Sequence, residues 1–378
     1  MAPRQVFFSV GDDSGDLHAA NLMRSMRRID ADLRFIGLGM DRMVEAGFEP
    51  IEEQGHGESA MWLHNLLRLG HYRRRLDACA RRLDEGDVSL VVPVDFGGLN
   101  LCLCREASRR GVPVFYYIPP QVWAHGRYRL EKLRKWTDRC GVIYPFESRL
   151  YRDWGVEAEY VGHPLFDEIA QSPPRQDVVA GLRERFGEGL VGIFPGSRRQ
   201  EVKAHVSVLV EACRRIREGV PDVPFALLGT PQVRSLVQDL LPPDAGVAVL
   251  DDVRPVELAR ASRLCITKSG TVTLEVASQG TPAVIFYRAM AFAAFMGYGL
   301  AEVPYMGLVN NLAGRMVCPE KLMIRPNPGW IADQVTRLLC DAGAYAQCKQ
   351  DIRQVLDGVA APGASDRAAR SALALICR

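Results

Sequence analysis

The chain has 378 residues, and 47 Lys and Arg against 45 Asp and Glu leave a formal net charge of only +2. This length exceeds one ordinary hydrophobic core and predicts two domains, while the balanced charge argues against a nucleic-acid partner. Ten cysteines occur without a CxxC pair or a matching histidine cluster, so neither a zinc site nor a disulfide framework is implied, and a reducing cytoplasm fits best.

Short β-type runs alternate with helical patterns along most of the chain, as is typical of parallel sheets with helices on both faces. The predicted strands of the first half are 5–10, 33–37, 88–94, 112–117, 139–143 and 157–161. Those of the second half are 190–194, 223–228, 246–249, 263–267 and 282–286, and the residues from Pro328 onward show three helical patterns without a strand. The proline-rich stretch around 163–175 is a link between the halves.

We therefore predict an α/β fold of two doubly wound, Rossmann-like domains that face each other across a cleft. The first domain is expected over 1–165 and the second over 166–364, with a last helix at 365–378 that could pack back on the first. Ligands of such folds bind beyond the carboxyl ends of the strands, so the loops after the strands should carry the chemistry.

Two of these loops in the first half are rich in acids and glycine. Residues 11–16 contain three carboxylates that would repel a phosphate, so we expect Ser14, Gly15 and Asp16 to face an acceptor or its hydroxyls. Ser14 or Asp16 would cap a helix from Leu17, and a simple capped turn is the alternative. After the strand at 88–94, Asp95 either takes a proton from a substrate hydroxyl or serves only as a helix cap.

A third loop, residues 118–126, carries Trp123 and His125. These two aromatic side chains could border a cleft. The alternative is an ordinary surface loop whose tryptophan is tucked into the core.

Two loops of the second half have the residues of a phosphate site. Gly196, Ser197 and Arg198 precede a helical pattern at 202–216, where backbone N–H groups, a helix dipole and a guanidinium can hold an anion. After the strand at 263–267, a second helix start can donate to phosphate oxygens, and Glu275 can accept from two ribose hydroxyls. This second start consists of Ser269, Gly270 and Thr271.

Together the two loops suit a nucleoside diphosphate, and ordinary capped helix starts are the alternative. Because no Walker motif or DxD pair accompanies them, we expect neither a metal ion nor a cofactor.

Two apolar segments are candidates for contact with lipid. Residues 59–70 and 289–298 are each either a buried core helix or a helix that contacts acyl chains or a membrane surface. Neither is long and uninterrupted enough to predict a transmembrane helix, and the apolar run at 6–10 is too short for a signal peptide. Basic clusters at 73–82 and 127–135 are either solvated helix faces or contacts to anionic headgroups.

In order along the chain, the loops resemble the motifs of the lipid-A-disaccharide synthase family. The matching positions are residues 11–16, Asp95 with Asn100, Pro120 with 122–124, 145–147, 161–164, 195–198, 269–271 with Glu275, and Asn310 with 312–315.

The resemblance implies a GT-B-type inverting glycosyltransferase that needs no metal. It would transfer 2,3-diacylglucosamine from UDP-2,3-diacylglucosamine to the 6-hydroxyl of 2,3-diacylglucosamine 1-phosphate. It also implies a cytoplasmic protein held peripherally on the anionic inner face of the inner membrane, and it leaves a homodimer open.

Carried over position by position, the resemblance implies Asp95 as the base for the acceptor hydroxyl and Arg198 as the group that neutralises the leaving diphosphate. The implied UDP-sugar site consists of Gly196, Ser197, Arg198, Ser269, Gly270, Thr271, Glu275 and Asn310.

The chain departs from the family pattern at four positions. Asp12 replaces glutamate, Gly98 replaces a second aspartate, His125 replaces tryptophan and Val309 replaces proline. The first two changes retract or remove a carboxylate near the implied acceptor site. Two alternatives therefore stay open: a related UDP-sugar transferase or epimerase with another acceptor, and a non-catalytic paralogue that binds UDP-sugar or lipid.

Overall fold

The computed structural model describes residues 4–52, 69–123, 126–288 and 305–376. These residues form two compact units, one that runs up to Asp167 and resumes at Ala361, and one from Glu168 to Ala360. Almost all of the apolar segment 59–70, the whole segment 289–298 and His125 lie outside the described residues. None of the described helices combines the length and apolar character needed to cross a membrane.

The first unit is built on parallel strands. One sheet has the order β3-β2-β1-β4 and contains β1 (Gln5–Ser9), β2 (Arg34–Leu38), β3 (Phe48–Pro50) and β4 (Val88–Pro93). A second sheet, in the order β5-β6-β7, contains β5 (Phe115–Tyr117), β6 (Arg139–Val142) and β7 (Ala158–Tyr160). Isolated parallel bridges from Val91 to Val114 and from Val94 to Tyr117 join the two sheets into one layer.

The helices of this part of the chain follow or connect the strands. They are α1 (Asp13–Ile29), α2 (Asp41–Glu45), α3 (Leu69–Asp84), α4 (Gly97–Arg109), α5 (Tyr128–Trp136), α6 (Pro145–Asp153) and α7 (Pro164–Gln171).

The second unit has a six-stranded parallel sheet in the order β10-β9-β8-β11-β12-β13. Its strands are β8 (Val191–Phe194), β9 (Phe225–Leu228), β10 (Val247–Leu250), β11 (Leu264–Lys268), β12 (Ala283–Arg288) and β13 (Glu320–Met323). Its helices are α8 (Gln176–Phe186), α9 (Arg199–Gly219), α10 (Arg234–Leu240), α11 (Pro255–Ala261), α12 (Val272–Ser278), α13 (Leu308–Ala313), α14 (Pro328–Cys340) and α15 (Ala342–Asp357).

The central strands are apolar without interruption because both faces of the parallel sheet are covered by helices. All four residues of β8 and all four of β9 are buried, and so are the first four residues of β11. This double-sided burial explains why continuous apolar runs, rather than alternating patterns, marked the strands in the sequence.

The last described helix, α16 (Ala364–Leu373), belongs to the first unit and packs on α1. The buried carboxylate of Asp167 accepts hydrogen bonds from the backbone N–H groups of Gly363, Ala364 (3.0 Å) and Ser365 (2.8 Å). Arg367 Nε donates to the carbonyl of Val161 at 2.7 Å. A carboxylate from α7 thus caps the N-terminus of α16.

All eleven predicted strands are present, and two strands were missed. β3 has only three residues and ends in a proline, and β13 has the polar sequence Glu-Lys-Leu-Met. Among the described strands both lie at the edge of their sheet, where an apolar run is not required.

Candidate active site

Asp95 directly follows β4, at the carboxyl end of the first sheet. Its φ of 50° and the φ of 40° at Phe96 lie in the left-handed region that non-glycine residues rarely adopt. The amide of Asp95 donates to the carbonyl of Tyr117 at 3.1 Å, and its carbonyl accepts from the hydroxyl of Tyr116 (2.9 Å) and from Asn100 Nδ2 (3.0 Å). The strained turn is therefore held by hydrogen bonds from three sides.

Asn100 is the fully buried side chain that organises this turn. Its Nδ2 also donates to the carbonyls of Ser9 (3.3 Å) and Val94 (3.2 Å), and its Oδ1 accepts from the hydroxyl of Ser9 at 2.7 Å. The side-chain amide of Asn100 thus connects the ends of β1 and β4 to α4. This contact explains why Asp95 and Asn100 occur together in the sequence motif.

The environment of the Asp95 carboxyl suits a proton acceptor. Burial raises its pKa, and the nearby Asp12 raises it further, while a 2.8 Å hydrogen bond from the amide of Phe96 and the neighbouring His18 oppose the rise. A carboxylate that pays a desolvation cost is more basic than an exposed one, which is what general-base chemistry requires.

The glycine loop differs from the prediction in its capping. Helix α1 begins at Asp13, and its N-cap is Asp12, whose Oδ1 accepts from the amide of Gly15 (2.8 Å) and the hydroxyl of Ser14 (2.9 Å). The prediction that Ser14 or Asp16 caps a helix from Leu17 is therefore wrong.

Asp16 instead caps the next helix. Its carboxylate is 3% exposed and accepts from the amides of Met40 (3.0 Å), Arg42 (3.0 Å) and Met43 (3.3 Å) at the start of α2. Burial raises the pKa of Asp16, and these bonds partly offset the rise. Gly15 is also buried, so Ser14 is the exposed member of the three predicted loop residues.

Gly11 connects this loop to the Asp95 turn, a link that the sequence did not reveal. A Cβ at Gly11 would lie 2.2 Å from Cγ of Phe96, whose ring also stacks on Tyr72 at 6.4 Å. Any larger residue at position 11 would displace the ring of Phe96, the residue that directly follows Asp95.

Trp123 belongs to the loop after β5, and its side chain is buried. Its Nε1 donates to Glu147 Oε1 at 2.7 Å, and Glu147 Oε2 accepts from the amides of Ile143 (3.2 Å) and Tyr144 (3.1 Å). Burial raises the pKa of Glu147 to about 7. Of the two interpretations of this loop, the structure supports a tryptophan tucked into the core, and His125 lies outside the described residues.

In the second unit, the loops after β8, β9 and β11 enclose a cavity of about 190 Å³. Its polar lining residues include Gly196, Ser197, Glu201, Thr230, Lys268, Gly270, Thr271 and Glu275. The structure thus brings together five of the predicted site residues, from two separate loops, at the carboxyl end of one sheet.

An ion pair lies inside this cavity. Lys268 Nζ is 3.0 Å from Glu201 Oε1. Gly196, with a φ of 114°, leaves room for Glu201, because a Cβ there would lie 2.5 Å from Glu201 Oε2. Burial alone would raise the pKa of Glu201, but Lys268 and the amide of Arg198 hold it below its usual value. Neither Lys268 nor Glu201 was predicted as a site residue, although a lysine at the end of a buried strand is a usable signal.

Arg198 is the N-cap residue of α9 and immediately follows Ser197. Its guanidinium is 72% exposed and approaches Glu201 only at 4.0 Å, so a surface pair of this length contributes little stability. The residue is thus a cation next to the cavity rather than part of its described lining.

Glu275 is the acid of the cavity with the strongest desolvation. Burial raises its pKa to about 7, and the nearby Glu168 contributes to the rise. Near neutral pH the side chain is therefore poised between a proton donor and a proton acceptor.

Ser269 and Asn310, which were predicted as site residues, are not among the described residues that line the cavity. The hydroxyl of Ser269 donates to the carbonyl of Met306 at 2.7 Å. Asn310 is fully buried; its Oδ1 accepts from the amides of Val317 (2.8 Å) and Cys318 (2.9 Å), and its Nδ2 donates to the carbonyl of Cys318 at 2.8 Å. Both side chains are engaged with backbone, so they shape the site through neighbouring loops.

Glu320, which belongs to the missed strand β13, joins these two residues. Its carboxylate accepts at 2.8 Å from the amides of Met306 and Gly307 and from Asn310 Nδ2. A continuous network therefore runs from Ser269 through Met306 and Glu320 to Asn310.

Two α/β units, each with a parallel sheet and polar loops at the carboxyl ends of its strands, give the chain a GT-B-type fold. A putative UDP-N-acetylglucosamine 2-epimerase from Listeria monocytogenes has a similar structure, with a TM-score of 0.63, 14% identity and coverage of 99% of this chain and 96% of its own. MurG of Acinetobacter baumannii follows with a TM-score of 0.62 and 13% identity, over 98% of this chain and 100% of its own. The predicted class of two Rossmann-like, parallel-sheet domains is confirmed.

A family model described as lipid-A-disaccharide synthetase matches residues 6–371. The lipid-A-disaccharide synthase of Geobacter sulfurreducens is 32% identical over 376 residues, which cover 98% of this chain and 97% of that protein. The synthase of Syntrophus aciditrophicus is 33% identical over an alignment of 389 residues, which covers 100% of this chain and 99% of that protein. The chain belongs to the lipid-A-disaccharide synthetase family and is a glycosyltransferase, as the resemblance of its motifs implied.

Proposed function

We propose that the protein transfers 2,3-diacylglucosamine from UDP-2,3-diacylglucosamine to the 6-hydroxyl of 2,3-diacylglucosamine 1-phosphate, with inversion, to give a β-1,6 disaccharide 1-phosphate and UDP. The observation that carries the proposal is the family match over residues 6–371. We assign the acceptor to the first unit, which carries Asp95, and the UDP-sugar to the second unit, which carries the cavity at the ends of β8, β9 and β11.

The donor is assigned to the cavity of the second unit. Backbone N–H groups at Gly196 and Ser197 and at the start of α12 would hold the diphosphate, while Glu275 would accept from the ribose hydroxyls. As the bond from the sugar C1 to the diphosphate breaks, its electron pair stays on UDP, and Arg198 and Lys268 would stabilise the developing negative charge. Ser269 and Asn310 would act by holding the loops in place.

The acceptor is assigned to the loops around Asp95. The 6-hydroxyl oxygen attacks C1 of the donor sugar while its proton passes to the Asp95 carboxylate, and the proton then leaves to solvent. The exposed Ser14 would contact the acceptor. Gly15 and Asp16 fix the loop that presents it.

The decisive experiment measures UDP release and disaccharide formation from the two substrates in detergent, with EDTA present. Asp95→Asn keeps the shape of the side chain but removes its basicity, so we expect turnover to fall about 100- to 10,000-fold. Asp32→Asn, an exposed acid of the same unit, is the matched control and should keep wild-type turnover.

Wild-type turnover in Asp95→Asn would contradict the assigned base, and loss of turnover in EDTA would contradict the metal-independent mechanism. Turnover of UDP-N-acetylglucosamine alone would point to an epimerase instead.

We also propose that the protein works as a peripheral protein on the cytoplasmic face of the inner membrane, because both substrates carry acyl chains. Helix α5 carries exposed cations that suit an anionic surface, each worth roughly 1 kcal/mol near it. These cations are Lys132, Arg134 and Lys135. Co-sedimentation with vesicles containing anionic lipid should be strong in low salt and weak in high salt. Equal binding to purely zwitterionic vesicles would rule out the electrostatic part of this proposal.

A further inference from the structure

A second cavity lies in the first unit, beside the turn that carries Asp95. Its volume is about 250 Å³. It is bounded by the first residues of α4, Gly97 and Gly98, and by residues of α5. Asp95 is not part of the lining, but Gly97 follows it by only two residues, so the turn that carries the assigned base leads directly into the wall of the cavity.

The lining of this cavity is cationic. Arg105 from α4 and Arg129 and Lys132 from α5 contribute positive charge, and none of the described residues that line the cavity is acidic. Gly98 is exposed and has no other atom within 4 Å of the place where a Cβ would be. The departure from the family pattern at this position therefore leaves the cavity without a carboxylate.

Arg129 and Lys132 are the cations best placed to bind an anion. Arg105 is already paired with Glu106 at 3.2 Å, whereas within the described residues no ion pair joins Arg129 or Lys132 to a carboxylate. Arg129 Nη1 would lie 3.5 Å from a Cβ at Gly97, so its guanidinium is directed at the start of α4.

The two cations also share one aromatic support. Arg129 and Lys132 lie 5.7 and 5.4 Å from the ring centre of Tyr128. The ring keeps both charges on the same side of α5, where they can act on one ligand.

We propose that this cavity binds the phosphate monoester of the acceptor sugar. The inference rests on the function proposed above, which places the 6-hydroxyl of the acceptor at Asp95. A sugar held at one end by its hydroxyl needs a second fixed point, and the phosphate at C1 is the charged group at the other end of the ring. An arginine fork with an adjacent lysine matches a phosphate dianion. Anchoring the phosphate would select the phosphorylated acceptor and present its 6-hydroxyl to the base.

The kinetic test compares two acceptors, 2,3-diacylglucosamine 1-phosphate and the same lipid without phosphate. Arg129→Met and Lys132→Met should each raise KM for the phosphorylated acceptor about 10- to 100-fold, since each removes a charged hydrogen bond. KM for the phosphate-free acceptor should change less than about twofold. Arg149→Met, an exposed cation of α6 that lies outside the cavity lining and 3.9 Å from Asp153, is the control.

A binding test does not depend on turnover. Cys102 is exposed and lines the cavity, while Cys340, in the second unit, is exposed and serves as an internal reference. The phosphorylated acceptor should slow alkylation of Cys102 by iodoacetamide at least fivefold, as followed by mass spectrometry, and leave Cys340 unchanged. The protection should be lost in a variant that combines Arg129→Met with Lys132→Met.

The outcomes separate this inference from the proposed function. Protection of Cys102 that requires phosphate, in a protein that forms no disaccharide, would support the phosphate site and reject the transfer reaction. Equal protection by both acceptors, or equal loss of both activities in the variants, would overturn the phosphate site while leaving the transfer reaction intact. If the variants lost only their binding to anionic vesicles, the cavity would be a lipid-headgroup contact and the inference would be wrong.

Discussion

Asp95 and Glu275 are acids whose pKa values are raised chiefly by burial, yet their proposed tasks differ. Asp95 must be ionised to receive a proton, and its strained turn holds the carboxyl beside Asp12, which keeps it basic. Glu275 accepts more strongly from ribose hydroxyls when it is ionised, and burial raises its pKa to about 7. Each site therefore depends on a carboxylate that the protein alone stabilises poorly and that a ligand hydroxyl would stabilise better.

Binding of UDP should consequently depend on pH through Glu275. With a pKa of about 7 in the free protein, the carboxylate is mostly protonated at pH 6 and mostly ionised at pH 8. If only the ionised form accepts from the ribose, the Kd for UDP should fall about tenfold between these pH values. Calorimetric titration with UDP measures this change.

Glu275→Gln is the control for that titration, because it keeps the shape but cannot ionise. Its remaining pH dependence reports the phosphate groups of UDP and should be smaller than that of the wild type. The same pH dependence in both proteins would show that Glu275 does not meet the ribose.

The same carboxyl also affects stability, with the opposite sign. Because its pKa is raised on folding, the folded state holds the proton more tightly than the unfolded state. The contribution of Glu275 to the free energy of unfolding is therefore fully present below about pH 4.5 and is lost as pH rises through about 7. Function and stability thus make opposite demands on this side chain.

At the scale of elements, capping contacts define the ends of helices that the sequence could only approximate. Asp12, Asp16 and Asp167 all cap helices, but only Asp12 caps the helix that it directly precedes in the chain. A local pattern can reveal a cap inside its own turn, whereas a cap supplied from another element depends on tertiary packing. This is why the role of Asp16 was assigned to the wrong helix. The strands β3 and β13 were missed for a related reason, because their short runs become recognisable as strands only through pairing with a neighbouring strand.

Removing the Asp167 cap should loosen α16. In Asp167→Ala three amides at the start of the helix lose their acceptor, so we expect a loss of roughly 2 kcal/mol in the free energy of unfolding of the first unit. Urea unfolding followed by circular dichroism, with hydrogen exchange of residues 363–373 as a local readout, measures the loss.

Asp357→Ala, an exposed residue at the end of α15, is the matched control and should change stability by less than about 0.5 kcal/mol. Unchanged exchange in α16 of the Asp167 variant would show that packing on α1, not the cap, holds the helix.

At the scale of the whole molecule, the apolar runs and the loop motifs of the sequence predicted the fold and the family, whereas they did not predict most of the polar contacts in the site. Eleven strands, the class of fold and the family follow from patterns that are continuous in sequence. Glu201 and Glu320 could not be found in that way, because an ion pair or a hydrogen-bond network between separate loops leaves no periodic signal. Lys268 had one local signal, its position at the end of a buried strand. The structure also shows that Asn310 and Ser269 are engaged with backbone, which sequence motifs alone cannot distinguish from direct contact with a ligand.

The return of the chain to the first unit at Ala361 has a consequence for biosynthesis. A ribosome makes the strands of the first unit early but releases α16 only after the entire second unit has been translated. During that interval the face of α1 that α16 covers stays open, and Asp167 has no helix to cap. The first unit therefore begins to fold first and finishes last, and a nascent chain that stalls before Ala361 carries an unfinished N-terminal half beside a second unit whose residues are all present.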